Sequence, residues 1–126
     1  MLSVRMAGLA LMAAVSFGAA RPASAQDASA GAKQFKIHCA VCHAAVAGRK
    51  GIGPSLFGVV GRPAGTLEGF HYTNANKTSG LTWDAATLDR YLKAPREVVP
   101  GTTMTFAGLK NDTQRADVIA YLATLK

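Results

Sequence analysis

The sequence predicts an all-α fold: three main helices joined by long ordered loops. Three observations carry that prediction. Apolar residues recur at helical spacing near the start, the middle and the end of the chain beyond residue 26. No segment keeps the apolar–polar alternation of a half-buried strand. Between the helical stretches lie passages rich in glycine and proline, which account for 13 and 5 of the 126 residues. Loops of that length are unusual in a compact domain unless something orders them.

The first 25 residues read as a secretory leader rather than as part of the fold. Arg5 gives a positive start, 6–20 is an uncharged and mostly apolar run, and Ala23-Ser24-Ala25 is a small-residue cleavage site. The run stops at Arg21-Pro22, short of the roughly 20 residues a membrane span requires. The expected division is therefore a cleaved signal peptide, 1–25, and one domain, 26–126, exported to a periplasm with no membrane span left. Without Arg5 and Arg21, 12 basic residues stand against 7 acidic ones, a net charge of +5. That balance favours acidic protein surfaces. It does not favour nucleic acid, because no basic run exceeds Arg49-Lys50 and export removes the chain from nucleic acid.

The first helix is expected from about Ser29 to Cys42, with Gly31, Phe35 and Cys39 on one face. Residues 44–80 form the longest loop, with a short helical piece at 55–59. A second helix fits 83–94, where Leu88, Tyr91 and Leu92 share a face and Pro95 ends it. Residues 95–110 read as loop. The last helix is the best defined. Asn111 is its N-cap, Gln114 stands at the capping-box position, and Val118, Tyr121, Leu122 and Leu125 form an apolar stripe. A core this small usually needs a disulfide, metal or cofactor to support it.

The segment Cys39-Ala40-Val41-Cys42-His43 supplies one. C-x-x-C-H is the attachment motif for c-type haem. Each thiol becomes a thioether on one vinyl group, and the histidine that follows is placed under the iron as a ligand. A thioredoxin-type disulfide would need a βαβ context, and a zinc site would need a second pair of ligands. Neither is present in the sequence. Export agrees with haem attachment outside the bacterial cytoplasm. Beyond the leader, Met104 is the one methionine, in a Pro-Gly loop rather than on a helix stripe. A thioether is a soft ligand that favours ferrous iron, so His43 and Met104 are the expected axial pair. His38 and His71 are the rival sixth ligands. The first sits beside Cys39 on the wrong side, and the second reads as a surface residue.

From about Gly31 to Leu125 the chain resembles class I cytochrome c, the mitochondrial type and its bacterial periplasmic relatives. The segments that carry the likeness are CAVCH, GIGPSLFGVVGR, GFHYTNANKTSGLTW, LDRYLKAP, VPGTTMTFAG and RADVIAYL. The resemblance implies crossed terminal helices, with Gly31, Phe35, Val118 and Tyr121 at the crossing. It implies long loops wrapped around one haem c bound covalently through Cys39 and Cys42, with one edge exposed. It makes Pro54 the neighbour whose carbonyl accepts the His43 ring N–H, and Tyr91 the donor to the Met104 sulfur. Tyr72, Trp83 and Arg62 become donors to the haem propionates, with Thr73, Asn76 and Thr102 extending that polar network. Phe106 shields the distal face. Such a protein is a soluble, monomeric one-electron carrier and not an enzyme. It docks to acidic surfaces of redox proteins such as a membrane oxidoreductase or terminal oxidase of a respiratory chain.

The mitochondrial members carry a lysine ring about the haem edge. Here His38, Thr103 and Glu97 stand at three of its positions, leaving Lys50, Lys93, Arg96 and Lys110 as docking charges. A thinned ring implies weaker or displaced electrostatic docking. The rival readings, a haem peroxidase and a haem-stabilised sensor, both need an open sixth position on the iron.

Overall fold

A computed structural model describes residues 26–126; the expected leader lies outside them. Five helices follow in order: α1 (Ala28–His38), α2 (Asn74–Lys77), α3 (Ala85–Lys93), α4 (Pro95–Val98) and α5 (Asp112–Thr124). No strand occurs among the described residues. One isolated antiparallel bridge joins Pro63 to Thr82.

The α1–α5 crossing is the most extensive helix contact. Gly31 makes it possible, since a Cβ there would collide with the Asp117 carbonyl and lie 2.9 Å from Tyr121 Cβ. The same approach brings the Phe35 and Tyr121 rings to 5.3 Å between centroids. It also lets Asp27 N–H donate to buried Asp117 Oδ1 at 2.9 Å. Asp27 in turn caps α1, accepting from the N–H groups of Ser29 and Ala30. Such N-cap bonds satisfy donors that have no partner inside the helix. Asp84 caps α3 through Thr87 N–H, and Asn111 caps α5 through Gln114 N–H at 2.9 Å, as its sequence position predicts.

Three boundaries differ from the sequence reading. α1 stops at His38, and both Cys39 N–H and Ala40 N–H turn back to the Phe35 carbonyl. The C-x-x-C segment therefore lies in turns beyond the helix. Residues 55–59 are irregular, with a turn at 57–58, rather than a helical piece. Pro95 ends α3 but also begins α4, because a proline at N1 loses no helical hydrogen bond. The short α2, capped by the Thr73 hydroxyl, has too few apolar residues to show a stripe.

The long loop is tied at defined points. Gly61 N–H donates to Trp83 O, Ala64 N–H to Leu81 O, and Gly58 N–H to Leu125 O. The core holds Phe35, Val59, Trp83, Leu88, Val99, Leu109, Val118, Ile119 and Leu122, so loop residues and all three longer helices share it.

Gly31→Ala tests the crossing. Helix propensity alone would make alanine better by about 1 kcal/mol, but its Cβ meets backbone that cannot swing aside. The expected outcome is a net loss of about 1–3 kcal/mol of stability, measured by denaturant unfolding of the haem-loaded protein.

Candidate functional site

α1 delivers the chain to Cys39, and a tight turn follows. Cys42 N–H and His43 N–H both donate to the Cys39 carbonyl, at 3.1 and 2.9 Å. Gly53 N–H donates to Cys42 O at 2.8 Å and Leu56 N–H to Ala44 O at 2.9 Å, so 53–56 runs back beside the motif. His43 Nδ1 lies 2.7 Å from the Pro54 carbonyl oxygen. A carbonyl can only accept, so Nδ1 carries the proton and Nε2 presents its lone pair. Burial holds the His43 pKa below its ordinary value, with the Pro54 bond partly opposing it, which favours the neutral ring a metal needs. Gly53 packs flat on that imidazole, and any Cβ there would collide with the ring.

Both cysteines are half-buried. Burial first, and the neighbouring Cys42 second, push the Cys39 thiol up to about 11. A thiol of the thioredoxin kind is pushed the other way, so Cys39 lacks the lowered pKa of such a nucleophile.

A second group of predicted residues assembles around α3. Tyr91 O–H donates to Met104 Sδ at 3.8 Å. The Trp83 ring packs on Tyr91, with 4.6 Å between centroids. Met104 N–H donates to Thr102 Oγ1 at 3.3 Å. Burial raises the Tyr91 pKa above its ordinary value, and a hydrogen bond with the Thr102 side chain offsets part of this. The phenol thus keeps its proton, which it needs to donate to sulfur.

The remaining predicted residues form smaller units. Asn76 Nδ2 donates to Thr73 Oγ1 at 3.3 Å. Tyr72 packs edge-on against Phe70, with 4.8 Å between ring centroids. Arg62 donates through Nη1 to Phe57 O and through Nη2 to Ser55 O, so part of the guanidinium is committed to loop backbone. Five N–H donors leave it capacity beyond those bonds. His38 and His71 are exposed, and the His38 ring lies 6.5 Å from that of Phe106.

Sequence reasoning missed two supports. Ser55, 4% exposed, donates to Val46 O at 2.8 Å and accepts from Phe57 N–H, pinning the loop beneath His43. Serine before no helix gave no signal. Buried Arg115 was also missed, although an arginine inside the apolar stripe of α5 is an anomaly that asks for partners.

These residues fit a c-type haem. The chain offers a tautomer-fixed imidazole, a thioether sulfur, two adjacent thiols and a glycine cradle at the ring. Leu56, Val60, Leu81, Leu92, Val98 and Phe106 are apolar side chains only partly buried against the core, as an apolar group bound there would require. The cytochrome c family model matches residues 28–126.

The chain belongs to the cytochrome c family.

It is 53% identical to cytochrome c2 of Rhodoblastus acidophilus over 103 residues, covering 81% of this chain and 95% of that protein. It is 49% identical to cytochrome c2 of Rhodomicrobium vannielii over 117 residues, covering 92% and 93%. Among solved structures, cytochrome cH from Methylobacterium extorquens superposes with a TM-score of 0.73 at 45% identity, covering 78% of this chain and 98% of that one. As a cytochrome c, the chain is an electron carrier with one covalent haem c rather than an enzyme, and its partners are redox proteins.

Two substitutions test the geometry. Gly53→Ala should displace the His43 ring from Pro54 and lower the yield of correctly ligated holoprotein, read from the visible spectrum per mole of polypeptide. Tyr91→Phe keeps the packing on Trp83 and removes the donor to sulfur, for an expected loss of about 0.5–1.5 kcal/mol. The wild type should also lose stability as pH rises above 10, where unfolded tyrosine ionises and the folded Tyr91 still holds its proton. A denaturation series across that range should show this dependence weakened in Tyr91→Phe.

Proposed function

We propose that His43 Nε2 and Met104 Sδ are the two axial ligands of the haem, and that the protein shuttles single electrons between periplasmic or membrane-bound redox partners. The observation that carries this reading is the Met104 sulfur, held by Tyr91 O–H at 3.8 Å on a loop whose main chain bonds to Thr102. A carrier gains from a sixth ligand that is always present, because little then rearranges when the charge on the site changes. The haem supplies the ferric–ferrous couple. The polypeptide's part is to hold both ligands, to keep water away with Phe106 and the apolar lining, and to leave room for docking.

In this reading Cys39 and Cys42 carry the thioethers. Tyr72, Trp83, Arg62, Asn76 and Thr102 serve the polar edge, where carboxylates withdrawn from water need donors. Residues 1–25 act as a cleaved export signal, so the working compartment is the periplasm.

The surface chemistry supports docking to an acidic partner. Residues 28–67 contain Lys33, Lys36, Arg49, Lys50 and Arg62 and no aspartate or glutamate. The same stretch holds Ile37, Val41, Val46 and Ile52, which are 55–84% exposed. Exposed aliphatic side chains interspersed with cations along this stretch suit a partner whose surface is apolar and acidic. Association should slow as salt is added, because rim charges act mainly on the encounter rate.

The test is the optical spectrum of the oxidised protein. A weak long-wavelength band from sulfur bound to ferric haem is expected in the wild type and absent in Met104→Ala. A wild type without that band would overturn the ligand assignment.

A further inference from the structure

Arg115 is the most heavily bonded side chain in the structure that the site has not yet used. It is 3% exposed, yet its guanidinium joins two separate parts of the chain, α3 and the stretch 109–112. Nε donates to Asp89 Oδ1 on α3 at 2.7 Å, and Nη2 donates to Asp112 Oδ1 at the start of α5, also at 2.7 Å. Nη1 donates to the carbonyls of Leu109 and Lys110, at 3.0 and 3.4 Å. Those two carbonyls close the loop that carries Met104.

That loop is held by its ends. Among the described residues, Thr103 and residues 105–108 make no main-chain hydrogen bond. At the near end Thr102 N–H donates to the Val99 carbonyl, and Val99 is 1% exposed. At the far end Leu109 N–H donates to Leu92 O at 2.7 Å, and Lys110 Nζ reaches Lys93 O. Gly108, with φ +110, lies so close to the Lys93 carbonyl that a Cβ would collide with it. α3 thus receives the end of the loop and also supplies Tyr91 to the sulfur. If the far end lifts, Met104 and Tyr91 no longer share one frame.

We propose that Arg115 is a positioning residue for Met104: its buried guanidinium staples the end of the methionine loop to α3 and sets how firmly the sulfur is presented. The inference rests on Met104 being the axial ligand. Only arginine can do this. A lysine ammonium cannot serve two carbonyls and two carboxylates on different sides at once, since the planar fork is what spreads the donors. Burial works against the charge on Arg115, but its bonds to Asp89 and Asp112 outweigh that cost and keep it protonated.

The experiment titrates the oxidised holoprotein with imidazole, which competes with the sulfur for the iron, and follows the long-wavelength band. Arg115→Lys is compared with the wild type and with Val118→Ala, a core truncation in the same helix that removes none of the Arg115 hydrogen bonds. Imidazole should bind Arg115→Lys about tenfold more tightly, the scale of losing hydrogen bonds made by a charged donor. Val118→Ala should lower the thermal midpoint while leaving imidazole affinity within about twofold of wild type. Arg115→Lys binding imidazole as wild type does, or no more tightly than Val118→Ala, would overturn the proposal. Asp89→Asn covers the case of an unfolded Arg115→Lys: it keeps an acceptor but weakens the clamp, and should shift imidazole affinity in the same direction by a smaller factor. No shift in Asp89→Asn then counts against the clamp. If the wild type itself lacks the band, the ligand reading fails, and the clamp is judged by amide exchange at Leu109, which should quicken in whichever of the two variants folds. Unchanged exchange there would sink the clamp independently of the ligand.

Discussion

The close crossing of α1 and α5 at Gly31 is the constraint on which the site depends. Each helix controls one half of it. α1 runs through Phe35 to the turn that presents Cys39, Cys42 and His43. α5 carries Arg115, which bonds to the end of the Met104 loop and to α3. The segments that carry His43 and Met104 are more than 60 residues apart in the chain. Their relative placement comes from a helix pair whose ends lead into both segments: the His38 ring of α1 lies 6.5 Å from that of Phe106, and Arg115 of α5 bonds to the Leu109 carbonyl. A glycine at the crossing lets backbones approach to a distance no other residue permits. Rigid core packing then passes that placement on to both halves.

The long loop between the helices is ordered by a few strong local fixings rather than by regular structure. Buried Ser55 and half-buried Arg62 both bond to main-chain carbonyls of 46–57. Pro54 offers its carbonyl to His43 and Gly53 its bare face. The stretch 53–55 therefore sets the tautomer, the plane and the backing of one imidazole. An irregular loop can do this because it has no ladder of its own to satisfy. Its carbonyls are free to be aimed, provided each finds a donor.

Charge and apolar exposure are distributed unevenly, and this matches the work of a carrier. The stretch around the cysteine motif has cations and exposed aliphatic side chains but no carboxylates. The acids lie elsewhere, and two of them, Asp89 and Asp112, are engaged with Arg115. Ion pairs as exposed as Lys93–Asp112 add little stability. The value of the Arg115 network lies in the geometry it fixes, since its cation is buried and its bonds join α3 to the stretch 109–112.

The sequence by itself determined the helical class, the three longer helices, the attachment motif and the ligand candidates. These are signals carried by near neighbours: a stripe at helical spacing, a cap three residues from its donor, two thiols and an imidazole within five positions. It also singled out Tyr91, Trp83, Thr102 and Pro54 through family likeness, and the structure brings Tyr91, Trp83, Thr102 and Met104 into one cluster, with Pro54 on His43. It did not place the end of α1, because Cys39 continues the apolar face and only the backbone turn at Phe35 shows the helix stopping. It did not show that Arg62 spends donors on its own loop, nor what Ser55 and Arg115 hold. Those roles depend on which distant carbonyls arrive beside a polar group once the chain has packed. A buried serine or arginine has no pattern of its own along the chain, so its partners are decided by tertiary structure alone.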